Sequence, residues 1–239
     1  STGLNTTYFE SNEWRNHDAS ASNHCLVAVE LPGVCSSSDP YAFHVTFTDD
    51  VYRQNVRRPL IDMHCIDAVI TSLTAQNNTF SATDPLIRAE GWNSIEIDGS
   101  TFAHNRNPVL VARNETKLTI NNSAISGHQG TMFKFEDSDD LKLLRNLNVT
   151  DCNSSHDATP IIVIEGSPQF LMAPSLKMDA VSFQNNVGTL IESTLAANWS
   201  SNLSDANWQC PAGESYDDDA DGNGGVFELE AVSFRNNRI

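Results

Sequence analysis

The chain has 239 residues, with 31 acidic against 14 basic side chains and a formal net charge of −17. So few cations leave no basic patch to neutralise phosphates, which excludes nucleic acid and anionic membrane surfaces as expected partners. The strongest apolar run, residues 161–164, is far too short to span a bilayer, so we expect one large domain with no membrane insertion in this segment.

Residues 1–57 carry no recognisable repeat. A solenoid needs a cover over the end of its core, so we predict that this segment is an irregular N-terminal cap. Cys25 and Cys35 bracket a short stretch with a Pro-Gly turn, which predicts a local disulfide between them. The pairing stays open for the remaining three cysteines, Cys65, Cys152 and Cys210.

From residue 58 onward, a short phrase recurs. It consists of two alternating apolar residues, a third apolar residue five positions later and usually an Asn three further on. Clear copies begin at residues 95, 118, 176 and 227, and a looser copy with one extra residue contains Leu141, Leu143, Val149 and Cys152. The closing residues are predicted to lie at a turn and to stack along the axis, His128 as a turn residue rather than a catalytic base: Asn105, His128, Asn186 and Asn237.

A second phrase interleaves with the first and is a short apolar strand that ends in a charge. Its copies span residues 85–90, 108–113, 131–136, 160–165 and 187–192. Two or three strands per repeat without a helical period predict an all-β, parallel β-helix over 58–239, with rungs about 4.8 Å apart. The alternative, a sandwich of antiparallel hairpins, requires Asn-Gly or Asp-Gly turns between strands, and such pairs are few, among them 98–99 and 221–222.

The alternation in the second phrase predicts which side chains face the core. The expected inward residues are Ile87, Ala89, Leu110, Ala112, Phe133, Phe135, Ile162, Ile164, Thr189 and Ile191. The expected outward terminal column is Glu90, Arg113, Glu136, Glu165 and Glu192, of which the last three are predicted to form a solvated acidic face. A second outward set is apolar and could be a contact stripe for another subunit, namely Val111, Val163 and Leu190.

Residues 193–223 interrupt the repeat as an excursion rich in Ser, Asn, Asp and Trp. At its end, residues 217–228 match a calcium-loop pattern, in which alternating carboxylates and a Gly turn wrap a hard cation. The predicted structural calcium ligands are Asp217, Asp219, Asp221 and Glu228, with a solvated acidic loop as the alternative. The last rung is cut at residue 239, so we expect the solenoid to continue beyond it, and no organic cofactor is predicted.

Asn-x-Ser/Thr triplets are frequent and favour a secreted or cell-surface glycoprotein. Turns of the solenoid or the excursion are expected to hold most of them. The predicted glycosylation sites are Asn5, Asn77, Asn114, Asn121, Asn148, Asn153, Asn198 and Asn202.

Signs of catalysis are weak. Arg113 with Glu90 and Glu136 could form a lyase-like site on the outer face, although a ladder of ion pairs explains these residues better. Residues 127–130 and 139–140 are similar to the Gly-His-Gly and paired Asp of polygalacturonases, but in the reverse order.

The phrases FAHN, FQNN and FRNN at 102–105, 183–186 and 234–237, with GGVF at 224–227, resemble the repeats of polymorphic outer-membrane adhesins. More broadly, the rungs over 59–239 resemble the pectin-lyase-like right-handed β-helix superfamily. This resemblance implies a right-handed β-helix displayed on a surface for adhesion or assembly, without enzymatic activity. The leading hypothesis is therefore an extracellular structural or adhesive module whose partners are other subunits or glycans, and the alternative is a polysaccharide lyase or hydrolase.

Overall fold

A computed structural model describes residues 6–15, 27–30, 43–55, 61–79, 85–91, 93–106, 108–113, 116–136, 142–154, 160–165, 176–194 and 227–238. Within these ranges every regular element is a β-strand, and neighbouring strands pair in parallel. The strands form three sheets of eight, eight and seven strands, and the chain visits the three sheets in turn. This architecture confirms the predicted all-β, parallel β-helix.

The strands divide among the three sheets with the following bounds. The first sheet contains β1 (Thr6–Glu10), β4 (Phe43–Thr48), β7 (Ile66–Thr71), β10 (Asn93–Asp98), β13 (Thr116–Asn121), β16 (Lys142–Arg145), β19 (Leu176–Asp179) and β22 (Phe227–Glu230). The second contains β2 (Glu13–Arg15), β5 (Val51–Arg53), β8 (Thr74–Gln76), β11 (Thr101–Ala103), β14 (Ala124–Ser126), β17 (Asn148–Thr150), β20 (Ser182–Gln184) and β23 (Ser233–Arg235). The third contains β3 (Val27–Glu30), β6 (Ile61–His64), β9 (Ile87–Glu90), β12 (Leu110–Arg113), β15 (Phe133–Glu136), β18 (Ile162–Glu165) and β21 (Ile191–Thr194).

The core lies between the three sheets and is built from columns of like residues, because parallel strands in register place equivalent side chains directly above one another. In the third sheet, Ile87 pairs with Leu110, Leu110 with Phe133 and Phe133 with Ile162. Nine of the ten predicted inward residues occupy these columns and are at most 2% exposed, namely Ile87, Ala89, Leu110, Ala112, Phe133, Phe135, Ile162, Ile164 and Ile191.

A sharp bend separates the first sheet from the second in each coil. The bend uses one residue in the left-handed region, for example Ser72, Gly99 and Asn122, with φ between 48° and 59°. The Asp98-Gly99 pair is therefore a corner of the solenoid and not a hairpin turn, as the β-helix prediction requires. Left-handed φ also explains the Asn, Asp and Gly found at these corners, since those residues adopt it at least cost.

The predicted register of β21, the last strand of the third sheet, is wrong by two residues. Ile191 pairs with Ile162, and Glu165 pairs with Thr194, so Glu192 lies opposite Val163 instead of extending the column of Glu165. Thr189 precedes the strand and is not an inward member of it. A slip of two residues preserves the alternation of inward and outward positions, and for that reason the sequence pattern could not detect it.

The inward positions predicted for the looser copy of the first phrase are wrong by one residue. The structure places Lys142 and Leu144 inward, whereas Leu143 faces outward and is half-buried. Lys142 lies in a core column between Leu118 and Leu176 and is 0% exposed. No extra residue is present, because 142, 144, 149 and 152 have the spacing of the other copies. The pattern missed this strand because a lysine occupies an apolar position.

The described part of residues 1–57 belongs to the solenoid, so the prediction of an irregular cap is wrong for β1 to β5. The inward aromatic residues of the first coil stack on those of the second. Phe9 lies over Phe47 with ring centroids 4.9 Å apart, and Trp14 lies over Tyr52 at 6.5 Å. These rings continue the core columns to the first described coil.

Replacing Lys142 by alanine is expected to destabilise the protein. The lysine side chain is fully buried in the core column between Leu118 and Leu176, so truncating it leaves a cavity. Truncating a long buried side chain to alanine costs about 2–5 kcal/mol, and we therefore expect a lower midpoint in urea unfolding for Lys142→Ala. Lys177→Ala, at an outward and partly exposed position of the next strand, serves as the control and should lower the midpoint less. Equal midpoints for the two variants would contradict the inward position of Lys142.

Candidate functional site

A column of buried polar residues follows the second sheet, where the chain turns toward the third. Its members, called the asparagine ladder below, are Asn55, Asn78, Asn105, His128, Cys152, Asn186 and Asn237, each at most 6% exposed. The predicted turn position is confirmed for the four residues that the sequence identified, and side-chain hydrogen bonds along the axis are present at Asn105, Asn186 and Asn237.

The geometry of the ladder is the same wherever asparagines follow one another. Asn78 Oδ1 accepts hydrogen bonds from the backbone N–H and the side-chain amide of Asn55, both at 3.0 Å. Asn78 Nδ2 donates to Tyr52 O at 3.0 Å and to Asn105 Oδ1 at 2.9 Å. An asparagine that lies between two others, such as Asn78, therefore links its own coil to both neighbours and satisfies corner backbone groups that no sheet reaches.

The ladder is interrupted at His128 and Cys152. His128 Nε2 donates to Thr131 O at 3.0 Å, so the protonated nitrogen is Nε2, and the buried Nδ1 has no hydrogen-bond partner. Burial lowers the pKa of His128 to about 4, with the bond to Thr131 opposing the shift. Burial also raises the pKa of Cys152 to about 11. A neutral thiol beside a neutral imidazole is not an activated nucleophile, so these two residues do not form a catalytic pair.

The outward face of the third sheet holds the main cluster of paired charges among the described residues. This ion-pair face consists of Asp62, Arg88, Arg113, Lys134, Glu136 and Glu165. Lys134 Nζ lies 2.5 Å from Glu136 and 3.1 Å from Glu165, so it bridges two carboxylates one coil apart. Arg113 contacts the other oxygen of Glu136. The predicted ladder of ion pairs is therefore present at Arg113 and Glu136.

The titration of the ion-pair face follows from these contacts. Burial alone would raise the pKa of Glu136, but hydrogen bonds from Lys134 and Arg113 outweigh it and lower that pKa. Burial opposes charge on Lys134 as well, yet its bonds to Glu136 and Glu165 raise its pKa. Glu136 has a side chain only 13% exposed and is shared by two cations. The prediction of a solvated acidic face is therefore wrong at Glu136, whereas Glu165 has a side chain 43% exposed and is bridged to Glu136 by Lys134.

The predicted apolar stripe is also wrong. Leu190 is 2% exposed and lies opposite Ile161 in the interior of the turn that precedes the third sheet. Val111 and Val163 do face outward, but they are only 4% and 8% exposed. They alternate along one column with Arg88 and Lys134, whose long aliphatic stems can cover them. This face therefore offers charges and not an exposed apolar surface.

Most of the predicted calcium ligands and cysteine partners lie outside the described residues. This holds for Asp217, Asp219 and Asp221 and for Cys25, Cys35 and Cys210. Glu228 lies on β22 opposite Lys177 in the register, but its side chain is outside the described part. Cys152 is a free thiol, whereas Cys65 is disulfide-bonded. In the described ranges, no three His, Cys, Asp or Glu side chains are grouped closely enough to hold a metal.

Four of the eight predicted glycosylation sites lie within the described residues. Asn77, Asn148 and Asn153 are exposed, whereas Asn121 is half-buried. A turn position had been expected for Asn148, but it is the first residue of β17. The other four lie outside the described ranges: Asn5, Asn114, Asn198 and Asn202.

The first two members of the ladder, Asn55 and Asn78, were missed by the sequence analysis. Both follow an inward residue of the second sheet by three positions, as Asn105 follows Phe102. In these coils the inward residues are Tyr52 and Ala75. Accepting Tyr and Ala in the search for an apolar-x-x-Asn pattern would have identified both asparagines.

The sheets, their parallel register and the polar ladder define a parallel β-solenoid protein. A family model described as a right-handed β-helix region matches residues 61–207, more than half of the chain. The chain therefore belongs to the right-handed β-helix family. Neither the curated proteins nor the solved structures contain a match to it. In the described part of the chain, no helix is long and apolar enough to cross a membrane.

Removing one ladder amide is expected to destabilise the fold well beyond an ordinary surface substitution. Asn186→Ala would leave Cys152 N without its side-chain acceptor and would remove the bonds from Asn186 Nδ2 to Val149 O and Asn237 Oδ1. Asn237 Oδ1 would keep only the backbone N–H of residue 186 as a donor. Each buried group left unpaired costs about 1–3 kcal/mol, so the free energy of unfolding should fall by about 2 kcal/mol or more. Asn185→Gly is the matched control, since Asn185 is exposed with φ at 56°, which glycine adopts. Equal effects of the two changes in urea unfolding would contradict the role assigned to the ladder.

The buried His128 should make the stability depend on pH. Its ordinary pKa of 6.5 is lowered to about 4 in the folded state. As the pH falls from 6.5 toward 4, the unfolded chain binds a proton that the folded chain does not, so the free energy of unfolding falls by about 1.4 kcal/mol per pH unit. This stability is fully present above pH 6.5.

His128→Asn should abolish this slope and raise stability at pH 5, because asparagine can complete the ladder. The control, His104→Asn, changes an exposed histidine one coil earlier and should retain the slope. Urea unfolding at several pH values measures both variants. A slope that persists in His128→Asn would assign the pH dependence to another group.

Proposed function

We propose that this chain is a non-enzymatic structural or adhesive module of an extracellular assembly, displayed as a glycoprotein. The observation that carries the proposal is the ion-pair face, in which the candidate catalytic groups are engaged with one another. A β-helix whose outer charges neutralise each other is suited to holding a shape and presenting surfaces.

The contacts on this face argue against acid-base catalysis. A general acid needs a carboxyl group that retains its proton near the working pH, which requires a raised pKa. Glu136 has the opposite shift, because Lys134 and Arg113 both stabilise its charge. Arg113 is bound to the same carboxylate, so neither residue is poised to neutralise or deprotonate a sugar acid. The two groups that a lyase would need thus serve to join adjacent coils.

An extracellular setting is supported by the chemistry of the chain. Glycosylation triplets are numerous, and three of the four that lie in the described ranges expose their asparagine. The disulfide bond of Cys65 fits an oxidising compartment, since cytosolic thiols are kept reduced. We further propose that a structural calcium ion at Asp217, Asp219, Asp221 and Glu228 supports the excursion, and that the partners are other subunits or glycans.

The competing function is that of a polysaccharide lyase or hydrolase. Its experimental signature is cleavage of an acidic polysaccharide such as polygalacturonate or alginate, measured with and without calcium. We expect no cleavage, and we expect self-association in sedimentation experiments or retention on immobilised cell-surface glycans.

The decisive comparison uses Arg113→Ala and Asp140→Ala beside the unmodified protein. Cleavage that either substitution abolishes would replace the structural proposal with the enzymatic one. A strictly monomeric, glycosylated protein that binds no surface and no glycan would also contradict the proposal.

A further inference from the structure

The glycosylation triplets of the described residues are not spread evenly around the solenoid. Asn148 lies on a strand of the second sheet, Asn77 directly follows β8 of the same sheet, and Asn153 lies in the corner after β17. All three are exposed. Asn121 ends a strand of the first sheet, is half-buried and has a buried Oδ1 without a hydrogen-bond partner. Among the described residues, the accessible acceptors therefore lie on the second sheet and the corner that follows it.

Asn148 has the most informative position of the three. It is the outward first residue of β17, and Thr150, which completes the triplet, faces outward on the same strand. Its neighbours in the adjacent coils are Ala124 and Ser182. Both are small, so a sugar attached to Asn148 Nδ2 meets no bulky side chain along the axis. Exposure and space together make Asn148 a suitable acceptor on a flat sheet.

The face around Asn148 differs from the other two outer faces. From β8 to β20 its outward residues carry no charge and no large apolar group, namely Thr74, Gln76, Thr101, Ala103, Ala124, Ser126, Asn148, Thr150, Ser182 and Gln184. Over the corresponding coils, the outward positions of the first sheet include Asp67, Glu96, Lys117, Arg145 and Lys177. Protein interfaces are anchored mainly by Trp, Tyr and Arg, and this face has none of them.

We propose that the second sheet and the corner that follows it form the glycan-bearing side of the solenoid, and that an N-glycan on Asn148 covers the outer face of this sheet from β8 to β20, where it is uncharged. This inference rests on the proposed extracellular function, and it names the protein's own glycan as the occupant of that face. Neutral sugar hydroxyls match the hydroxyl and amide groups of Thr, Ser and Gln, and they require no charged partner.

The modification is a group transfer in the secretory pathway. Asn148 Nδ2 forms a bond to the anomeric carbon of an oligosaccharide and loses one proton. The bond between that carbon and a lipid diphosphate breaks, and the lipid diphosphate leaves with the electron pair. The donor is therefore a polyprenyl diphosphate-linked oligosaccharide, and no oxidant or reductant is needed.

The first experiment maps glycopeptides of the full chain secreted from a glycosylating eukaryotic host. We expect occupied Asn148, Asn77 and Asn153 and little or no glycan on Asn121. The intact mass should fall by one glycan in Asn148→Gln and equally in Thr150→Ala, which retains the asparagine but breaks the triplet. An unoccupied Asn148 in the folded, secreted protein would overturn the proposal, and so would full occupancy of Asn121 with the other three empty.

The second experiment adds a glycan to the same face. Ala124→Asn completes an Asn-Ile-Ser triplet in the coil next to Asn148, and Ala124→Gln is the control of similar size without a triplet. We expect Ala124→Asn to gain one glycan and to be secreted and to self-associate as the control does. Loss of association in Ala124→Asn alone would make this face a docking surface and overturn the inference. If no form of the protein associates or adheres, the proposed function fails, while the glycan map still decides the present inference.

Discussion

The structure depends above all on how the corner after the second sheet satisfies its backbone. There the chain leaves one sheet before it enters the next, so its N–H and C=O groups cannot all join a strand ladder. Buried asparagines supply the missing donors and acceptors from within, each bonded to at least one neighbouring coil. Because an unpaired buried backbone group is costly, the asparagine column fixes both the position of the corner and the spacing of the coils.

Once this corner is fixed, the remaining features follow from stacking. Parallel register places like positions above one another, so the apolar columns close the core and the outward columns determine the surface of each face. On the third sheet this brings Arg113 and Lys134 to the same carboxylate of Glu136 and makes a continuous ionic network. On the second sheet it gathers small polar side chains and the exposed Asn148. One scaffold therefore presents faces of different chemistry.

The two deviations from the regular pattern are both buried. Lys142 occupies an apolar column and His128 interrupts the asparagine ladder, each with no exposed surface. At His128 a titratable group is placed where its charged form is disfavoured, as its lowered pKa indicates. These residues carry no catalytic geometry among the described residues, and their effect falls on the stability of individual coils.

The sequence by itself determined the repeat, the parallel β-helix and most of the inward columns. The reason is that few other folds are compatible with a hydrophobic period of two residues inside a longer repeat. It also placed the asparagines at a turn. Tertiary structure alone decided the register of β21, since a shift of two residues leaves the alternation intact. It alone revealed the inward Lys142. It likewise decided that Glu136 and Glu165 are bridged by Lys134, because that contact joins neighbouring coils and depends on which residues the register brings within a few ångströms.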